Sequence, residues 1–180
     1  DGYGWEKLFS ERMCRHFTED FGLETRIVRY HNVYGPLGTY DGGREKAPAA
    51  LCRKVIYSIL NNENTIDVWG DGEQTRSFLY IDDCVEATLR LFDSEYHGPI
   101  NIGSEEKVSI NEMIDKIEII SNKKIKRNYQ LDKPKGVRGR NSNNDLIRKQ
   151  LNWDPKYALQ SGLDKTYQWI LSEIKKKHNQ

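Results

Sequence analysis

Tyr3 and Lys7 stand four residues apart in Tyr3-Gly4-Trp5-Glu6-Lys7, a spacing that puts both on one face of a helix. An ammonium beside a phenol favours the phenolate, so the pair can serve as a general acid and base. An isolated pair at this spacing reads first as a surface tyrosine resting on a lysine stem, and that reading yields only because a strand and a ligand loop follow it here. Thr25-Arg26-Ile27-Val28-Arg29-Tyr30 reads as a strand, and His31 and Asn32 lie at its carboxyl end. In a parallel sheet that end faces ligands. Asn32 reads there as a ligand contact or as the turn residue before Tyr34-Gly35-Pro36, and His31 as hydrogen-bonded structure. Next comes Gly42-Gly43-Arg44-Glu45-Lys46-Ala47-Pro48. A connection containing Gly35, Gly38, Gly42 and Gly43 is costly to order unless it has a task. Ala47 and Pro48 suit a first helical turn, where proline's missing N–H orphans nothing. A second glycine and arginine loop, Gly136-Val137-Arg138-Gly139-Arg140-Asn141-Ser142, suits bidentate contacts to phosphate or is a solvated basic loop.

The elements that would position these residues are read from periodicity. Tyr3 to Asp20 is an amphipathic helix with Leu8, Met13, Cys14 and Phe17 on its apolar side, closed by Phe21-Gly22. Helices are expected over Ala49 to Leu60, from an Asp82 cap through Leu91, from a Ser109–Glu112 capping box to Ser121, over Asn144 to Leu151, and over Leu159 to Lys177. Strands are expected over Thr65 to Trp69, Pro99 to Gly103 and, as a short edge, Ile125 to Tyr129. Gly70-Asp71-Gly72 carries a hairpin-type turn signal.

Composition narrows the field. The chain has 180 residues, net charge +1 and 31% charged residues, so no global field steers it to nucleic acid or membrane. Lys123-Lys124-Ile125-Lys126-Arg127 and Lys175-Lys176-Lys177 lack interleaved aromatic residues and read as solvated faces. Cys14, Cys52 and Cys84 are odd in number and widely spaced. They argue for a reducing, cytoplasmic compartment and against a metal site or disulfide framework. No apolar run approaches a membrane span.

Taken together, the motifs resemble the C-terminal half of an extended short-chain dehydrogenase/reductase of the NAD-dependent epimerase/dehydratase family, which acts on nucleotide sugars. Tyr3 to Lys7 matches that family's Y-x-x-x-K, and Arg29-Tyr30-His31-Asn32-Val33-Tyr34-Gly35-Pro36 is similar to its strand-to-loop motif. Trp69-Gly70-Asp71-Gly72-Glu73-Gln74-Thr75-Arg76-Ser77-Phe78 belongs to the wider group as well. The blocks at residues 42–50 and 136–142 are similar to the branch that acts on GDP-mannose. The resemblance implies an α/β fold: the C-terminal part of a Rossmann-type doubly wound parallel sheet plus a smaller α/β substrate-binding subdomain. Residues 1–35 would belong to the NAD-binding domain and 36–180 mainly to the substrate region, with 79–103 returning to the Rossmann sheet.

The same resemblance implies roles and partners. Tyr3 would be the acid/base in a redox step at C4 of the sugar that uses NAD. Lys7 would bind the nicotinamide ribose and tune Tyr3. A transient C4 ketone would acidify the C3 and C5 hydrogens, with Lys46 returning a proton, so that GDP-mannose becomes GDP-L-galactose. Asn32, Glu45, Lys46, Ala47 and Lys54 would hold substrate, and Gln74, Thr75, Arg76 and Arg140 would surround the nucleotide diphosphate. The full-length protein would be a homodimer, without nucleic-acid or membrane partners. No G-x-x-G-x-x-G occurs in the 180 residues, and the family's partner base, a cysteine, matches none of the three present, which read as helix-core residues. Both parts are expected before Asp1, so the isolated chain is expected neither to bind NAD tightly nor to turn over. Two other readings stay open: a sugar-nucleotide-binding module without catalysis, and a related 4-epimerase or 4,6-dehydratase, against which the block at 42–50 argues.

Overall fold

Gly22, at φ +67°, ends the first helix in the left-handed conformation that costs glycine nothing, and Leu23 folds its amide back onto Phe17 O at 3.4 Å. The computed structural model describes residues 2–133 and 138–178; Gly136 and Val137 of the second glycine loop lie outside the described residues. After α1 (Gly2–Phe21) the chain enters β1 (Ile27–Tyr30) and β2 (Val33–Tyr34), then crosses over through α2 (Ala47–Leu60). Then come β3 (Thr65–Trp69), β4 (Thr75–Ser77), β5 (Leu79–Tyr80), α3 (Ile81–Phe92), β6 (Pro99–Ile102) and β7 (Lys107–Ser109). The last elements are α4 (Ile110–Ser121), β8 (Lys126–Gln130), β9 (Gly139–Arg140), α5 (Asp145–Leu151) and α6 (Leu159–His178).

Strands far apart in sequence pair in parallel: β1 with β6, β2 with β5, and β3 with β8. Such pairs need helical crossovers, which the intervening helices supply. The strand β4 lies between β7, antiparallel to it, and β9, parallel to it. Two apolar cores result. Val28, Val33, Leu79, Leu91, Ile100 and Ile102 form one together with Ile147 and Trp153 from the α5 region. The other gathers α2, α4 and α6 around Ile66, Val68 and Val108. Among the described residues no helix is long and apolar enough to cross a membrane.

Two local expectations fail for tertiary reasons. Gly70-Asp71-Gly72 closes no hairpin, because β3 pairs with β8 and not with β4. The turn instead rests on Asn111, whose amide reaches Gly72 O and whose Nδ2 reaches Asp71 O, each at 3.1 Å. Asp82 does not cap α3 either. The cap position is Tyr80, with Asp82 and Asp83 in the first turn, and the buried Asp83 carboxylate accepts the amides of Lys156 and Tyr157 at 3.0 Å. The box at α4 forms as read: Ser109 Oγ accepts the Glu112 amide at 3.1 Å and Glu112 Oε2 accepts the Ser109 amide at 2.7 Å.

Helix α1 buries none of its side chains; Trp5, Phe9 and Phe21 are 72%, 65% and 75% exposed. It is tied to β1 by Arg29, which donates Nε and Nη2 to the two carboxylate oxygens of Glu11 at 2.7 and 2.6 Å. Arg29 is half exposed, so this pair contributes under about 1 kcal/mol. The hydrogen bond from Arg29 holds the Glu11 carboxyl below its ordinary value of 4.5. Its contribution is therefore complete above that value and lost as pH falls through the lower folded-state pKa. We predict that Glu11→Gln speeds amide hydrogen exchange in α1 by about threefold to fivefold at neutral pH, leaving α2 and α6 unchanged. Identical exchange in variant and parent would show that α1 is held by something else.

Candidate functional site

The parallel pairing of β1 with β6 brings two carboxyl ends to one edge, with Tyr30 opposite Ile102 and the His31 amide donating to Ile102 O at 3.0 Å. A cleft of about 840 Å³ opens there, lined by Tyr3, Lys7 and Cys14 from α1, by His31 and Asn32, and by Asn101 and Arg140. Asn32 sits at φ +42°, a left-handed position that asparagine tolerates. Its Nδ2 donates to Ser77 O at 3.0 Å and its carbonyl accepts the Leu79 amide at 3.2 Å, so the corner after β1 is laced to the β4–β5 segment. Burial, reinforced by the Arg140 charge, pushes the His31 imidazole below its ordinary pKa, although a hydrogen bond with Asn101 opposes this. The ring is therefore a neutral hydrogen-bonding group at neutral pH. Lys7 Nζ lies 5.2 Å from the centroid of the Tyr3 ring, over its face, and Tyr3 is 69% exposed to the cleft and solvent.

Arg140 belongs to β9, which pairs with β4 so that Arg76 is its register partner and Thr75 that of Gly139. Two arginines thus stand side by side although 64 residues separate them. Arg76 Nη1 donates to the Thr75 carbonyl at 2.7 Å, and the Thr75 amide donates to Arg138 O at 3.0 Å. Gln74 Nε2 is committed to Trp69 O at 3.1 Å, while its Oε1 is buried with no hydrogen-bond partner among the described residues.

A second group gathers where α2 begins. Lys46 is the N-cap residue, exposed, with Ala47 and Pro48 starting the helix. Glu45 is largely buried and accepts from Arg53 Nη2 at 2.7 Å. Burial pushes its carboxyl up, but nearby amides, its own and that of Gly43, and the Arg53 guanidinium outweigh this and hold it below its ordinary value. Its Oε2 is buried without a hydrogen-bond partner among the described residues. Lys54 Nζ donates to Asp67 O at 2.8 Å, and burial lowers its pKa. The cleft thus unites Tyr3, Lys7, Asn32 and Arg140, with Arg76 adjoining Arg140. Glu45, Lys46, Ala47 and Lys54 form their own cluster and do not line that cleft.

Residues 1–103 match the model of the NAD dependent epimerase/dehydratase family. The chain belongs to this family. It is 51% identical, over 98% of its length, to GDP-mannose 3,5-epimerase of Arabidopsis thaliana, and 50% identical over 100% to GDP-mannose 3,5-epimerase 1 of Oryza sativa subsp. japonica. It spans 45% and 46% of those two proteins. Among solved structures it is similar to the UDP-glucose 4-epimerase of Thermotoga maritima in complex with UDP-glucose (TM-score 0.85, 26% identity, 96% of this chain and 54% of that one). It is also similar to the UDP-glucuronic acid 4-epimerase of Bacillus cereus in complex with UDP-glucuronic acid and NAD (TM-score 0.78, 30% identity, 96% of this chain and 52% of that one). These neighbours have the Rossmann-type architecture expected from the motifs, here seen in its parallel strand pairs and helical crossovers.

In this member of the family, sequence reasoning overlooked Arg53, Asn101 and Cys14. Arg53 lies eight residues after Glu45, about two helical turns, and that spacing was the available signal. Cys14 is not a helix-core residue, since α1 buries none of its side chains and Cys14 lines the cleft; Cys52 and Cys84 are buried. Gly103 lies against His31, which lines the cleft: a Cβ there would stand 2.6 Å from Ser142 Cβ and 2.7 Å from His31 Cβ. We predict that Gly103→Ala lowers stability by about 1–3 kcal/mol, read from the urea midpoint, because both neighbours must move. An unchanged midpoint would mean that the 138–142 segment does not rest on β6.

Proposed function

We propose that the full-length protein to which this chain belongs converts GDP-mannose to GDP-L-galactose by epimerisation at C3 and C5 through a transient C4 ketone. The observation that carries this reading is the identity of 50% or more, across essentially all 180 residues, to GDP-mannose 3,5-epimerases. It falls to 30% for a UDP-glucuronate 4-epimerase and a dTDP-4-dehydro-6-deoxy-D-allose reductase. NAD is the cofactor of the proposal, and the cleft fits its nicotinamide end: a phenol and an ammonium four residues apart stand open beside the carboxyl end of β1. Hydride acceptance from C4 and its return are the chemistry that bound NAD would supply.

Of the remaining steps this chain's residues take the following parts; the base that removes the C3 or C5 proton is not among them. Tyr3 takes the C4 hydroxyl proton and later returns it, and Lys7, over the face of the Tyr3 ring, holds the ribose. Asn32 orients the sugar. Arg140 and Arg76, side by side, meet the diphosphate with planar guanidinium groups suited to phosphate oxygens, with Gln74 and Thr75 alongside. Lys46 delivers a proton to C3 or C5, with Glu45, Ala47 and Lys54 holding substrate near it. The Lys46 cluster and the Tyr3 cleft would then face one substrate from two sides. We further assign residues 1–35 and 79–103 to the cofactor-binding domain and the remainder mainly to the substrate region. The proposed setting is a cytoplasmic homodimer.

Two substitutions in the full-length protein test the reading. Lys46→Met keeps the stem but cannot carry a proton. It is expected to leave GDP-mannose affinity within about tenfold while suppressing deuterium uptake at C3 or C5 from heavy water. Undiminished uptake would reduce Lys46 to a positioning group. Tyr3→Phe is expected to abolish uptake at both carbons, since without the C4 ketone neither hydrogen is acidic; uptake at the parent rate would remove Tyr3 from the mechanism.

A further inference from the structure

We propose that Arg53 is the positioning residue for Glu45 and Lys46, an inference that rests on the role of Lys46 proposed above. The loop that leads into Lys46 contains Gly42 at φ +93° and Gly43 at φ +83°, and no atom lies within 4 Å of where a Cβ would stand at either. Packing therefore does not hold the middle of this loop, and its placement depends on its ends. Arg53, two turns into α2, reaches both. Its Nε donates to Tyr40 O at 2.8 Å and its Nη2 to Glu45 Oε1 at 2.7 Å, with Asp41 Oδ1 3.6 Å from Nε. Tyr40 is itself held edge-on against Trp169 of α6, centroids 5.4 Å apart at 89°, so the near end of the loop is fixed to a second helix as well.

One guanidinium thus clamps the start of the loop by a backbone carbonyl and its end by a buried carboxylate. Engaging Glu45 Oε1 also sets where Oε2 points. That oxygen is buried without a hydrogen-bond partner among the described residues, and Lys46 is the next residue along the chain. A planar fork with fixed donor directions can serve a carbonyl and a carboxylate at once. A lysine ammonium at the same site is a point charge on a flexible stem and cannot hold both in one geometry. Displacing a reacting group by about 1 Å costs up to about 100-fold in rate, so the clamp matters for Lys46 although Arg53 does not touch the substrate.

The test compares Arg53→Lys and Arg53→Gln with the parent in the full-length protein, using GDP-mannose and NAD. Turnover and deuterium uptake at C3 and C5 are expected to fall about 10-fold to 100-fold in both variants. The GDP-mannose Kd by calorimetry is expected to stay within about threefold, and amide exchange over residues 41–46 to quicken. Parent-like turnover in Arg53→Lys would overturn the proposal, as would a loss of affinity matching the loss of rate, which would make Arg53 a binding group. If the parent itself takes up no deuterium, the role given to Lys46 fails. Amide exchange over 41–46 then decides Arg53 alone: faster exchange in Arg53→Lys supports the clamp, and unchanged exchange overturns it.

Discussion

The parallel register of β1 on β6 is the constraint on which the rest of the site depends. A parallel pair sends both chains out of the sheet at the same edge, so Tyr30-His31-Asn32 and Ile102-Gly103 emerge together. The bond from the His31 amide to Ile102 O carries the pairing one residue past the strand. Gly103 then allows Ser142 to approach closely, residues 138–140 run along β4, and Arg140 arrives beside Arg76. Each step uses the one before it. The strand termini hold the cleft because backbone hydrogen bonds and buried apolar contacts fix them, and the polar groups that line it need only project from these fixed ends.

The Tyr3–Arg140 cleft and the Lys46 cluster differ in how they are held. Asn32, Arg76 and Arg140 stand on strands or within a residue or two of one. Lys46 stands at the end of a glycine-containing loop whose placement is left to Arg53 and Tyr40. Helix α1, which carries Tyr3 and Lys7, is held more weakly still, by the Glu11–Arg29 pair and few buried contacts. The residues assigned to chemistry thus lie on the less firmly held elements, and those assigned to the nucleotide on the firmer ones.

What could be read from the sequence depends on the range of the interactions involved. The Ser109–Glu112 box, the Gly22 terminus and the extents of α2 and α6 are decided within a few residues, and those readings match the structure. The Asp-Gly turn after β3 looked like a hairpin because the local signal is a hairpin signal. The partner that prevented one, β8, lies some 60 residues away. Asp82 reads as a cap for the same local reason, but Asp83 is drawn to the amides of Lys156 and Tyr157, a tertiary contact with no trace in the spacing. Tyr3, Lys7, Asn32 and Arg140 were legible as candidates from residue type and from their places at element ends. Their meeting in one cleft, and the separation of the Lys46 group from it, depend on strand pairing that periodicity does not encode.

The most direct measurement is proton NMR of GDP-mannose incubated in heavy water with the full-length protein and NAD. The account predicts loss of the C3 and C5 proton signals and the appearance of GDP-L-galactose. Inversion at C4 with C3 and C5 still protonated would assign the site to a 4-epimerase, and an unaltered substrate spectrum would contradict the account outright.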